Sequence, residues 1–442
     1  MKKSTWLKSV VLLGMLAVLP TYFCQAPRDS GATATPDHLA LTWTGDPTAT
    51  MTITWRTDAT VTSVVVEYQK GDTLSKKASQ ANAVARDFVT DLGATRLFTC
   101  TLAALSPDAE YSYRVGDGTH WSDPSKFSTS ARNAREFKFL IFGDSQSPVG
   151  GDNPYGLWRK TVHNAFSANP DAKFMVNVGD LVDVGQMEAH WNAWFAAAKG
   201  VIDSIPEMAV LGNHEYYGSR DMTGPQYWSA QWVFPQNGPE GLKGQVYSYD
   251  YGPVHIVVLN SQKEEQKSRG DILATQKNWL EADLAASKAK WKIVFFHKPP
   301  YTIYPGRDNG DIKAAFCPIM EKYGVDLVFN AHDHGVARTY PIKAGALMKK
   351  PSEGIIYYIS GRSGAKTYPA IRKMDYNIMF YNPLEQPNYF VVDVTENKIT
   401  IKTVMQDGTI LDVFFVDKEK DVSSDMLRQH ESAGSKEEKP AA

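Results

Sequence analysis

Short apolar runs that end abruptly in a carboxylate, an amide or an imidazole constrain this 442-residue chain more than any other feature. FKFLIFGDSQ closes at Asp144, KFMVNVGD at Asp180, EMAVLGNHE at Asn213 and His214, KIVFFH at His297, and VDLVFNAHDH at His332 and His334. Short apolar runs bounded by turn residues read as buried strands. Helical patterns lie between several of them, over 155–168, 186–199, 276–288 and 311–323, which makes the pattern βαβ. Strands joined in this way deliver their C-terminal ends to one edge of a sheet, where α/β sheets bind ligands. Taken singly, Gly-Asp is ordinary turn chemistry and a strand-end histidine is ordinarily a satisfied structural residue. Repetition at successive strand ends is what makes these residues a site.

Upstream, from about 36 to 130, the period changes to two. Met51, Ile53 and Trp55 share one face, as do Tyr111, Tyr113 and Val115, the alternation of half-buried strands. Leu105 and Pro107 shortly before Tyr111 resemble the tyrosine corner of immunoglobulin-like sandwiches, so 37–131 is predicted to be a fibronectin type III-like β-sandwich whose aromatics are core. Length and a 43% hydrophobic content suit two domains. GIIYYISG, a hairpin YFVVDVTENKITIKTV around Glu396 and Asn397, and TILDVFFV complete the second domain, expected over 136–417. Residues 418–442, charged and poor in apolar residues, are predicted to be a disordered tail.

The N-terminus has Lys2, Lys3 and Lys8, an apolar stretch from Val10 to Leu19, Pro20, and a cleavage position after Ala26. This is the layout of a secretory signal peptide over 1–26, too short for a spanning helix, and it implies a secreted or periplasmic protein. The alternative is a cell-envelope protein lipid-anchored at Cys24; bulky Tyr22 and Phe23 fit that poorly. No later apolar run is long enough to span a membrane. Cys100 and Cys317 fall in different domains, so no bridge is expected. A net charge of −2 with no basic stripe argues against a nucleic-acid partner.

Asp144, Asp180, Asn213, His297, His332 and His334 offer oxygen and nitrogen donors without thiolate, a set suited to two divalent metal ions. Ions roughly 3.5–4 Å apart need a bridging carboxylate and can share a hydroxide that attacks phosphorus in line. Asp180 is the expected bridge. His214, beside Asn213, is the expected acid at the leaving oxygen.

The ordered blocks GDSQ, GDLVD, GNHE, FFH and NAHDH, over roughly 138–340, resemble those of the calcineurin-like metallophosphoesterases. With the preceding sandwich, the chain is similar to purple acid phosphatases. The resemblance implies a four-layer α/β metallophosphoesterase sandwich. It also implies one metal on Asp144, Asp180 and His334 and another on Asp180, Asn213, His297 and His332. Arg338 matches an arginine that follows the last histidine pair in purple acid phosphatases, as a substrate contact or a structural ion pair. Three positions depart from the pattern. Asp183 replaces the iron-binding tyrosine, Gln146 stands where the wider family has a histidine ligand, and Ala331 replaces a glycine. Gln146 is then a candidate amide ligand of the first metal. Asp183 matches an aspartate that orients the histidine of the GNH block, here His214. Without tyrosinate, Fe, Zn and Mn are all compatible with the donors, and calcium is disfavoured. Loops 214–222 and 298–311 are expected to form the rim, with Arg307 either on a phosphate oxygen or solvated. The expected function is hydrolysis of a phosphate monoester or diester without a covalent intermediate. The alternative is a binding or adhesion protein on a retained phosphoesterase scaffold.

Overall fold

The computed structural model describes residues 30–218 and 224–428. The expected signal peptide with Cys24, part of the 214–222 rim and the end of the tail lie outside the described residues.

The alternating N-terminal segment forms two four-stranded antiparallel sheets. One runs Asp37–Thr42, Met51–Asp58, Gly93–Leu102, Val84–Thr90, and the other Ser79–Asn82, Val65–Lys70, Glu110–Gly116, Ser125–Ser128. Met51, Ile53 and Trp55 enter the core, and the Tyr111 hydroxyl accepts the Ser106 N–H at 2.8 Å, closing the corner that the sequence suggests. The alternate residues Thr52, Thr54 and Arg56 are buried as well, because the other face of that strand meets the second domain. There Trp43 packs on Phe174, Tyr249 and Tyr251. Arg56 pairs with Asp37 and, across the domain boundary, with buried Glu188 and with Asn192.

The second domain is two sheets face to face. A six-stranded sheet runs Met175–Asn177, Phe137–Phe142, Asn388–Val394, Lys398–Met405, Ile410–Asp417, Val422–Ser423. A seven-stranded sheet runs Tyr247–Tyr251, Val254–Val258, Trp291–Phe295, Leu327–Asn330, Ile356–Ser360, Val336–Thr339, Asn377–Tyr381. Parity sets the layers. Trp291, Ile293, Phe295, Leu327 and Phe329 face the other sheet, while Val294, Phe296 and Val328 pack on Leu273, Leu280, Phe316 and Met320 of helices Ile272–Ala286 and Gly310–Lys322. Helices Gly156–Ala168 and Glu188–Ala198 cover the opposite side through Trp158, Val162, Trp191 and Trp194. The order is helix, sheet, sheet, helix, the expected four layers.

Local differences from the sequence reading have physical causes. EMAVLGNHE is not a strand; it runs beside Met175–Asn177 on isolated bonds such as Met208 N–H to Met175 O (2.9 Å) and Val210 N–H to Asn177 O (2.9 Å). The helix expected from 276 begins at Ile272, because the Asp271 carboxylate caps the Leu273 and Ala274 N–H groups. The expected tail is ordered as far as 428: Val422–Ser423 pairs with Ile410–Asp417, and Asp425 binds Arg338. Cys100 and Cys317 are both buried free thiols. Among the described residues no helix is long and apolar enough to cross a membrane.

His255, on Val254–Val258, ties that strand to the edge strand and to helix Ile272–Ala286. Its Nδ1 lies 2.7 Å from Asp250 and its Nε2 2.8 Å from Asp283. Burial acts to lower its pKa, but the two carboxylates outweigh burial and raise it from 6.5 to about 9. Since the folded value lies above the unfolded one, the clamp contributes fully below about pH 6.5 and is lost as pH rises through about 9. The contribution is on the order of 3 kcal/mol. Urea unfolding should therefore show stability falling between about pH 6 and about pH 9.5, and His255→Gln should flatten that fall.

Candidate metal centre

The strand ends converge where the two sheets meet. Phe137–Phe142 and Met175–Asn177 run parallel, as do Trp291–Phe295, Leu327–Asn330 and Ile356–Ser360, so the residues after them reach one edge. Hydrogen bonds stitch the sheets together there. His297 Nδ1 lies 2.8 Å from Val178 O, and the His332 N–H donates to Asp144 at 2.9 Å.

Asp144, Asp180, His332 and His334 all have left-handed backbone, with φ of 49°, 53°, 71° and 56°. Each such residue costs roughly 1–3 kcal/mol, a strain that collects at functional sites. The glycines of the two turns are sterically required. A Cβ on Gly179 (φ 89°) would lie 2.7 Å from His297 Nδ1, and one on Gly212 would lie 2.1 Å from Asp180 Oδ1.

Two groups of side chains result, each with ligand atoms within 4.8 Å of one another: Asp180, His297 and His332, and Asp144, Asp180 and His334. Asp180 belongs to both. Its Oδ2 is 3.1 Å from His297 Nε2, and His334 Nε2 is 3.6 Å from Asp144 Oδ1. Second partners set the tautomers: Nδ1–H of His297 donates to Val178 O, and Nδ1–H of His334 donates to Lys366 O at 2.8 Å. Nε2 of each is left as a lone-pair donor, the usual arrangement of a metal-binding histidine.

The residues fit a cation. Asp144 Oδ1 and Asn213 Oδ1 are buried with no hydrogen-bond partner among the described residues, and such orphaned oxygens are costly unless something positive meets them. The Asn213 amide nitrogen donates to the Tyr217 hydroxyl at 2.7 Å, which turns Oδ1 the other way. Burial holds His332 well below the usual range, with help from His297 and Arg307, and burial lowers His334 to about 3. Both are neutral donors. Burial and the neighbouring Asp180 push Asp144 upward, whereas His297 and His214 keep Asp180 ionised against its own burial.

Gln146 is fully buried in the same space. With its amide nitrogen toward Asp180 O (3.1 Å) and Oδ2 (3.3 Å), its oxygen accepts from Lys366 Nζ at 3.2 Å. The reverse orientation presents the oxygen toward Asp180, as ligation of a cation would require.

Asp183 and His214 are brought together, by a different atom than expected. His214 Nδ1 is 2.5 Å from the Asp183 backbone carbonyl and 3.3 Å from its carboxylate, so the main chain is the nearer orienting partner. Arg338 takes the second of its two expected roles, the structural ion pair, and the substrate contact is corrected. It is 1% exposed, bonded to Asp412 and Asp425 and stacked 4.2 Å from the Phe414 ring, and it fastens the C-terminal segment with no path to substrate. Arg307 reaches the rim beside His332 O (3.2 Å), but its charge is engaged by fully buried Asp333.

Two residues here had no role in the sequence reading. Lys366, in GRSGAK after Ile356–Ser360, places Nζ 2.8 Å from His214 Nε2. Glu215, fully buried, accepts N–H bonds from Gly212 (2.7 Å), Asp180 (3.0 Å), Leu181 (2.8 Å) and Val182 (3.4 Å). It clamps the Asp180 turn to the Asn213 turn, and burial together with Asp180 raises its pKa to about 8. The glutamate of GNHE was visible; its four backbone partners were not.

The calcineurin-like phosphoesterase family profile matches residues 137–336, and the purple acid phosphatase N-terminal domain matches 36–129. The chain joins a purple acid phosphatase N-terminal domain to a calcineurin-like phosphoesterase domain. It is a metallophosphoesterase. Acid phosphatase type 7 of Mus musculus is 28% identical over 86% of this chain and 91% of its own, and that of Homo sapiens is 26% identical over 87% and 91%. A solved purple acid phosphatase from yellow lupin seeds shares the fold, with a TM-score of 0.71 at 20% identity over 87% of this chain and 74% of that one.

The Glu215 clamp generates a test of positioning. Glu215→Ala leaves buried N–H groups unpaired and is expected to weaken metal binding about 10- to 100-fold, read by chelator competition on folded protein.

Proposed function

We propose that this metallophosphoesterase hydrolyses phosphate esters at a dinuclear centre bridged by Asp180. The observation that carries the reading is that Asp180 is common to both groups of ligand atoms. Asp144, His334 and Asp180, with Gln146 as a candidate fourth donor, would hold one ion; Asp180, Asn213, His297 and His332 would hold the other. Such ions supply Lewis-acid charge neutralisation and lower the pKa of water, and this nitrogen and oxygen donor set suits Fe, Zn or Mn.

The chain's own groups complete the chemistry. His214, fixed through Nδ1 by Asp183 and itself 8% exposed, turns Nε2 toward the same space, 4.0 Å from Asp180 Oδ2. That placement supports proton exchange with the leaving oxygen. Val178 O and Lys366 O keep the histidine rings in the tautomer that leaves Nε2 free. The N-terminal sequence supports action outside the cytoplasm.

Activity on p-nitrophenyl phosphate and bis-p-nitrophenyl phosphate should vanish on chelation and return with a single added metal. Asp180→Ala should lower it at least about 100-fold and reduce bound metal. Undiminished turnover by Asp180→Ala would refute the reading.

A further inference from the structure

The site contains a cation that the ligand groups do not account for. Among the described residues the Lys366 ammonium hydrogen-bonds an imidazole, His214 Nε2 at 2.8 Å, and has no carboxylate partner. A half-buried ammonium facing two buried aspartates, yet paired with neither, has capacity for an anion. Arg307, the other cation of the rim, has its charge taken by Asp333.

Lys366 is also held in place. Its loop is zipped to the Asp144 turn by Ser363 N–H to Gly143 O (2.7 Å), Gly364 N–H to Asp144 O (3.0 Å) and Ala365 N–H to Gln146 O (3.0 Å). Gly364 is needed for that approach, since a Cβ there would lie 2.3 Å from Gln146 O. Arg362, 3% exposed, braces the loop from behind by donating to Gly364 O, Pro383 O and Leu384 O. The Lys366 carbonyl then fixes His334 while its ammonium reaches His214, so this one residue spans both sides of the centre.

We propose that Lys366 is a phosphate-binding residue that selects monoesters over diesters. The inference rests on the phosphoesterase reading above. A monoester carries close to two negative charges near neutral pH and presents an unesterified oxygen to the ammonium. In a diester one more oxygen is alkylated and a charge is missing, so the charge-assisted bond is weakened or lost. Such a bond is worth about 10- to 100-fold in binding.

The test compares wild type, Lys366→Gln, Lys366→Ala and Lys366→Arg. Metal per chain is measured first, then kcat/KM for p-nitrophenyl phosphate and for bis-p-nitrophenyl phosphate, and the affinity for inorganic phosphate by calorimetry. The expected result is a wild type that prefers the monoester. Lys366→Gln and Lys366→Ala should retain metal, lose about 10- to 100-fold in phosphate affinity, and lose about 10-fold or more on the monoester beyond any loss on the diester. Lys366→Arg should recover part of the loss. Equal losses on both esters with metal retained, unchanged phosphate affinity, or a wild type that prefers the diester would overturn the proposal while leaving the hydrolase intact. A wild type that turns over neither ester would instead refute the hydrolase reading; the phosphate titration would then still decide whether Lys366 binds phosphate.

Discussion

The burial of the Asp180 carboxylate is the constraint around which the site is arranged. Taking a carboxylate out of water costs several kcal/mol unless hydrogen bonds and opposite charge offset it. Here Oδ1 accepts the His214 N–H at 2.9 Å and the residue's own N–H is bound by Glu215, while Oδ2 and the His297 Nε2 lone pair, 3.1 Å apart, both await a cation. To reach that position the backbone turns left-handed, and the space for the turn exists only because Gly179 and Gly212 lack a Cβ. Glycines, glutamate and histidines are parts of one device that holds a charge in a buried place. The orphaned oxygens of Asp144 and Asn213 face the same problem, and the two ions of the proposed centre, each shared with Asp180, would answer it.

The sandwich braces this device at one remove. Glu188 opens the helix that follows the Asp180 loop, its N–H is capped by Asp91 of the sandwich at 2.8 Å, and its side chain pairs with Arg56. Gln186, two residues earlier, donates to Glu215 O at 2.7 Å. A continuous run of contacts thus leads from the buried face of a sandwich strand to the residue that clamps the Asp180 and Asn213 turns. The domain interface is better described as part of the scaffold of the centre than as a linker.

The candidate ligands were legible because topology alone delivers them. A polar residue directly after an apolar strand has its place fixed by strand direction, and Asp144, Asp180, His297, His332 and His334 all qualify. Asn213 was legible by its block, although its segment is not a strand. Lys366 was not legible, since its approach depends on Ile356–Ser360 lying beside Leu327–Asn330 and on backbone bonds to residues more than two hundred positions away. The Asp183 carbonyl escaped because side-chain patterns carry no information about main-chain acceptors. For Arg338 the sequence left two roles open, since its place after the histidine pair suggested the site; strand parity decides for the ion pair by turning it to Asp412 and Asp425. The same pair of contacts explains why a charged segment poor in apolar residues is ordered as far as 428.

The most direct test of the account is a crystal structure of the metal-loaded protein with anomalous scattering recorded at the metal edge. Two peaks roughly 3.5–4 Å apart, both in contact with Asp180, one beside Asp144 and His334 and the other beside Asn213, His297 and His332, are the expected result. A single peak, or two peaks that do not share Asp180, would contradict the bridged centre on which the proposed hydrolysis depends.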